Sequence, residues 1–179
     1  NEIKKIVGDF SSKIKKSISS MRLDADVFLG GSFAKNTLIK KENYDIDIFV
    51  RFGKKHDNIS ENLEKILKRT GIEFERVHGS RDYFRHIKEG IIIEVIPVRR
   101  IKKTSEAENV TDLSYFHVSY LKNKIRKLTD EVLLAKHFCE ANECYGAESY
   151  INGFSGYGLE CLILHYKKFD KMLKELSKV

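Results

Sequence analysis

Where alternation stops does most to limit the fold of this chain. Strand-like runs occur only between residues 27 and 98, and the chain beyond residue 109 carries helical spacing alone. The runs are Val27–Leu29, Asp45–Val50, Ile72–Val77, Asp82–Ile87 and Ile91–Val98, with Lys88-Glu89-Gly90 breaking the last two as a hairpin would. Ile3, Ile6, Val7, Phe10, Ile14 and Ile18 predict an amphipathic helix over the first twenty residues. A second helix is expected over Asn58–Arg69, with Ser60 near its cap and Gly71 just past its end. After the polar stretch Thr104–Asn109, helices are expected over Asp112–Lys124, Asp130–Asn142 and Phe154 to about Lys178. Strands with two helices first and helices alone afterwards imply an α+β domain over 1–109 and a small helical subdomain over 110–179.

The chemistry is concentrated in Gly30-Gly31-Ser32 and the Asp45-Ile46-Asp47 that follows. On a strand Asp45 and Asp47 project from one face while Ile46 and Ile48 enter the core. Two carboxylates so placed suit hard divalent ions, and a pair of such ions about 3.5–4 Å apart can clamp both oxygens of a phosphoryl displacement. Glu94, inside the apolar run Ile91–Ile96, is the candidate third carboxylate, because a buried acid there needs a cation or metal beside it. It also suits the general base that accepts the proton of an attacking hydroxyl. Gly30 and Gly31 allow close backbone approach to phosphates; Ser32 would open a short helix, with Lys35 one turn in. Singly these are a turn, a solvated strand face and an edge acid; their order and spacing make the set specific.

A net charge of +7 and a pI near 9.2 favour a polyanionic partner, although a lysine-rich solvated surface has the same composition. The basic groups are Lys13, Lys15 and Lys16; Arg99, Arg100, Lys102 and Lys103; and Lys167, Lys168, Lys171 and Lys174. Three cysteines without paired spacing point to a reducing cytoplasm. With no apolar run of membrane length and no signal-peptide pattern, no membrane partner is expected. His137, Cys139, Cys161 and His165 make no complete zinc set.

A Gly-Ser pair, then Asp-x-Asp, then a carboxylate on a later strand resembles the signature of the DNA polymerase β-type nucleotidyltransferase superfamily. The pattern is most similar to archaeal class I CCA-adding enzymes, in Glu94-Val95-Ile96-Pro97-Val98, in Thr111-Asp112 to His117, in Tyr145-Gly146-Ala147-Glu148 and in Gly153-Phe154-Ser155-Gly156-Tyr157. That family commonly has Asp where this chain has Glu94. The resemblance implies a mixed β-sheet with flanking helices and a two-metal Mg2+ site on Asp45, Asp47 and Glu94, with Mn2+ as an alternative. It implies nucleotide contacts from Gly31, Ser32 and Lys35, with His117, Lys136 and Tyr145 completing the triphosphate pocket from the helical side. The activity implied is template-independent transfer of a nucleoside monophosphate from an NTP, ATP and CTP favoured, to the 3′-hydroxyl of RNA, at the acceptor end of tRNA. Two alternatives stand beside it: a nucleotidyltransferase acting on a small molecule, protein or nucleotide, and an inactive RNA- or nucleotide-binding core. The family continues into further domains that read the base and grip tRNA, so the choice between CTP and ATP does not transfer. Oligomeric state is not legible.

Overall fold

The computed structural model describes residues 2–40 and 42–178. By internal contacts the chain groups into two units, Asn1–Gly31 with Glu42–Tyr115, and Ser32–Lys41 with Phe116–Val179. The second unit therefore takes in a ten-residue excursion from between the first two strands.

The first unit holds helix α1 (Glu2–Ser20), strands β1 (Ala25–Leu29) and β2 (Tyr44–Phe52), helix α2 (Ile59–Lys68) and strands β3 (Glu75–Val77), β4 (Tyr83–Lys88) and β5 (Ile91–Arg99). The sheet is mixed, in the order β1-β2-β5-β4-β3, with β2 parallel to β5 and every other pair antiparallel. Alternation sorts its residues as expected. Ile46, Ile48, Val50 and Phe52 share one face with Ile91, Ile93, Val95 and Phe84, all buried. Helices α1 and α2 cover that face through Val7, Ile14, Ile18, Leu63 and Ile66, and Ser17 ties them by donating to the Ile66 carbonyl at 2.9 Å. The β4–β5 hairpin turns through Glu89 and Gly90, at φ 52° and 75°.

The other face is divided along its strands. One part is apolar: Phe49, Ile96 and Val98 pack with Phe28 and Tyr83, and Tyr115 meets Phe28 edge-on. The other part carries Asp45, Asp47 and Glu94. Beyond β5, the carboxylate of Asp112 is nearly inaccessible. It accepts hydrogen bonds from the N–H groups of Arg99, Asn109 and Glu108 and from the Arg81 guanidinium. Burial alone would raise its pKa, but these donors hold it below the ordinary value.

The second unit contains most of helix α3 (Ser114–Leu121), α4 (Thr129–Ala141), α5 (Gly156–Tyr166) and α6 (Phe169–Leu176). The single helix expected over Phe154–Lys178 is broken. Lys167 takes a left-handed conformation, φ 70°, that ends α5, and the chain turns so that Phe169 buries with Val132, Ala135, Ile163 and Met172. Burying that aromatic ring outweighs the strain of one left-handed lysine. Ser155 caps α5 as expected, accepting from the Gly158 N–H at 3.0 Å. Two further expectations shift: Ile72–Val77 pairs only over β3, and α2 begins after Asn58 without a side-chain cap.

Candidate active site

Strand register builds the carboxylate face. The parallel pairing sets Asp47 against Glu94 and Asp45 against Ile92, so the three acids lie on one face of adjacent strands, which run about 4.8 Å apart. Gly30 and Gly31 fit this surface for a reason the sequence did not supply. A Cβ on Gly31 would fall 1.7 Å from Asp47 Oδ2, and one on Gly30 2.1 Å from the Phe49 ring. Gly31 also has φ +55°. These glycines let the backbone turn directly against the sheet, and the Gly30 N–H donates to the Asp47 carbonyl at 2.9 Å.

Asp45 is exposed and Asp47 half-buried. Glu94 has the cation that an acid in an apolar strand needs: Arg85, its antiparallel partner on β4, donates from Nε and Nη2 to Oε1 at 3.1 and 2.9 Å. The Arg85 Nη2 also donates to Tyr83 Oη at 2.9 Å. Among the described residues no three His, Cys, Asp or Glu side chains already converge as a metal-binding group. The donor set nonetheless fits Mg2+ or Mn2+, being all carboxylate oxygen on one open face, provided Glu94 shares or exchanges its guanidinium partner.

In the second unit two of the remaining candidates, Lys35 and Lys136, meet at a residue the sequence reading missed. Glu160 is fully buried and bridges two lysines, meeting Lys35 Nζ through Oε2 at 2.5 Å and Lys136 Nζ through Oε1 at 3.0 Å. Thr37 completes the knot. Its hydroxyl donates to Glu160 Oε1 at 2.6 Å, and its carbonyl and hydroxyl oxygens accept from Lys136 at 3.0 and 3.1 Å. Burial pushes the Lys136 pKa down, Glu160 pulls it back up, and the net shift is downward. Two cations on one carboxylate leave this interior one positive charge in excess, a field favourable to a nearby anion.

Ser32 joins the knot through its backbone, its carbonyl accepting the Thr37 N–H at 3.0 Å; the expected short helix is a 3-10 turn, Phe33–Lys35. His117 stacks on Tyr157 with ring centroids 4.1 Å apart, and Lys35 Nζ lies 6.0 Å from that ring. Burial first, and the Lys35 charge second, lower the His117 pKa below its ordinary 6.5. Tyr145 is held by a parallel bridge to Phe154 and by the Gly146 N–H donating to the Phe154 carbonyl at 3.0 Å. A methyl group on Gly156 would sit 2.8 Å from Tyr145 Oη and 3.6 Å from Lys136 Nζ, so the Tyr-Gly and Gly-Phe-Ser-Gly stretches serve one close contact.

Comparison with known proteins identifies the family. The nucleotidyltransferase domain family model matches residues 11–144, and the second domain of tRNA nucleotidyltransferase matches 130–179. The chain belongs to the nucleotidyltransferase domain family. It is 45% identical over 155 residues to the CCA-adding enzyme of Nanoarchaeum equitans, covering 86% of this chain and 39% of that protein. It is 30% identical to the CCA-adding enzyme of Picrophilus torridus, over 99% of this chain and 46% of that one. The chain thus spans less than half the length of these relatives. Among solved structures, the ATP complex of E. coli MS115-1 CdnC superposes with a TM-score of 0.70 at 14% identity, over 97% of this chain and 63% of the other, a likeness of fold.

Proposed function

We propose that this chain transfers a nucleoside monophosphate from an NTP to the 3′-hydroxyl of RNA without a template, releasing pyrophosphate, and that the RNA is the acceptor end of tRNA. The observation that carries the reading is the register of Asp47 with Glu94, which puts three carboxylates on one open face in a chain of this family. Asp45, Asp47 and Glu94 would hold Mg2+ or Mn2+, which when bound supplies charge neutralisation at the transferring phosphate. Glu94 accepts the proton of the attacking hydroxyl. Gly31, Ser32, Lys35, His117, Lys136 and Tyr145 serve the triphosphate. We infer ATP and CTP as the nucleotides, supported only by the name of the relatives, CCA-adding enzyme. Among the described residues no helix is long and apolar enough to cross a membrane, and the three free cysteines suit a cytoplasmic setting.

The test is direct. Purified chain, Mg2+ and each labelled NTP in turn are incubated with tRNA lacking its terminal nucleotides. Labelled tRNA with CTP or ATP is the expected product. Label passing to a small molecule or protein, with none on RNA, would overturn the proposal.

A further inference from the structure

The strand register also sets a transverse row, Glu75, Arg85, Glu94 and Asp47, across β3, β4, β5 and β2. Arg85 is its one cation. Both of its contacts to Glu94 fall on Oε1, and its Nη2 has a second acceptor in Tyr83 Oη. The pair is solvated, with Arg85 32% and Glu94 28% exposed, so partner exchange needs no buried charge to be stranded.

We propose that Arg85 is a placeholder cation for the carboxylate face. It holds Glu94 while no divalent ion is bound, and it weakens the binding of such an ion by competing for that carboxylate. The inference rests on the metal reading of Asp45, Asp47 and Glu94. A guanidinium cannot shed its charge by deprotonation, so it yields Glu94 only by moving, and Tyr83 Oη gives it somewhere to remain. Glu94 meets it through one oxygen, which leaves Oε2 to engage an incoming ion first.

Mn2+ binding to the chain without nucleotide, followed by electron paramagnetic resonance of the free ion, tests this apart from activity. Arg85→Gln is expected to bind Mn2+ about fivefold more tightly, the scale on which a solvated ion pair competes for one carboxylate. Arg85→Lys should stay near the wild type. In a Glu94→Gln background the Arg85→Gln effect should shrink below about threefold, because the two residues act as a pair. Tyr83→Phe removes the retreat and should weaken Mn2+ binding about twofold, by the loss of one hydrogen bond; it checks the idea even if Arg85→Gln folds poorly. Asp45→Asn and Glu94→Gln separate the two readings. If both weaken Mn2+ binding while Arg85→Gln and Tyr83→Phe bind as wild type, the placeholder role is overturned and the metal reading stands. If neither weakens binding, or the wild type binds no Mn2+, both are overturned.

Discussion

Acids meet cations in two places in this chain, and the two are built in opposite ways. On the open face of the sheet Glu94 and Arg85 are each about a third exposed. In the helical unit Glu160, Lys136 and Lys35 are 0%, 1% and 7% exposed. A solvated ion pair contributes at most about 1 kcal/mol, so its members can change partners during a reaction. A buried one has been stripped of water, and removing one member strands the other. The open face is suited to ligand exchange, and the Lys35–Glu160–Lys136 knot to holding a charge in a fixed place.

The sharpest way to break that comparison is to neutralise one carboxylate in each region. Asp45→Asn is expected to reduce nucleotidyl transfer about 10³-fold or more, while Tm moves by about 2 °C or less. Retained Mg2+-dependent transfer, or a large fall in Tm, would remove Asp45 from the active face. Glu160→Gln should do the reverse. It leaves two buried ammonium groups sharing no carboxylate, and urea unfolding at pH 7 should show a loss of about 3–5 kcal/mol. A stable Glu160→Gln protein would show that water reaches the knot.

Asp112 offers an intermediate case, a buried carboxylate satisfied largely by backbone N–H groups. Asp112→Asn should destabilise by about 2–3 kcal/mol at pH 7. Its folded pKa is depressed, with burial opposed and outweighed by Arg81 and the backbone donors. The stability it contributes is therefore complete above the unfolded value near 3.9. It is lost as pH falls through the lower folded value, so the gap between wild type and Asp112→Asn should close in acid. A gap that does not narrow as pH falls below the unfolded value would assign the effect to shape instead of charge.

Much of this was legible in the residues, because alternation and helical spacing report burial directly. Asp45, Asp47 and Glu94 follow from period two on β2 and β5, together with the expense of an acid in an apolar run. The same expense would have found Glu160, an acid inside Gly158-Leu159-Glu160-Cys161-Leu162-Ile163. Within the single helix expected over Phe154–Lys178 an acid is ordinarily a solvated position, so helical spacing alone does not single it out. Arg85 and Thr37 left no local signal. Arg85 matters through the antiparallel register of β4 with β5, and Thr37 through a contact 99 residues away in sequence. The break at Lys167 was hidden for a related reason, since only the burial of Phe169 makes a left-handed lysine worthwhile.

The smallest expected effect sharpens the comparison most, because it tests charge counting inside the knot. Lys136→Met leaves Lys35 and Glu160 paired one to one, so the buried charge balances where the wild type carries one in excess. The hydrogen bonds to Thr37 are lost, and the balance should leave stability within about 1.5 kcal/mol of wild type at pH 7, far from Glu160→Gln. The sign with pH is fixed by the lowered pKa of Lys136, which burial causes and Glu160 only partly offsets. Keeping the ammonium charged costs stability below the folded value. That cost fades as pH rises through it and is gone above the ordinary 10.5. The wild type should therefore gain on Lys136→Met between pH 7 and pH 10 in paired urea titrations. The NTP affinity of Lys136→Met should fall by a similar factor for all four nucleotides, since a field acting on phosphates carries no base information. A loss near 3 kcal/mol at pH 7 would show that Glu160 needs both lysines, and a loss confined to one nucleotide would place Lys136 beside the base.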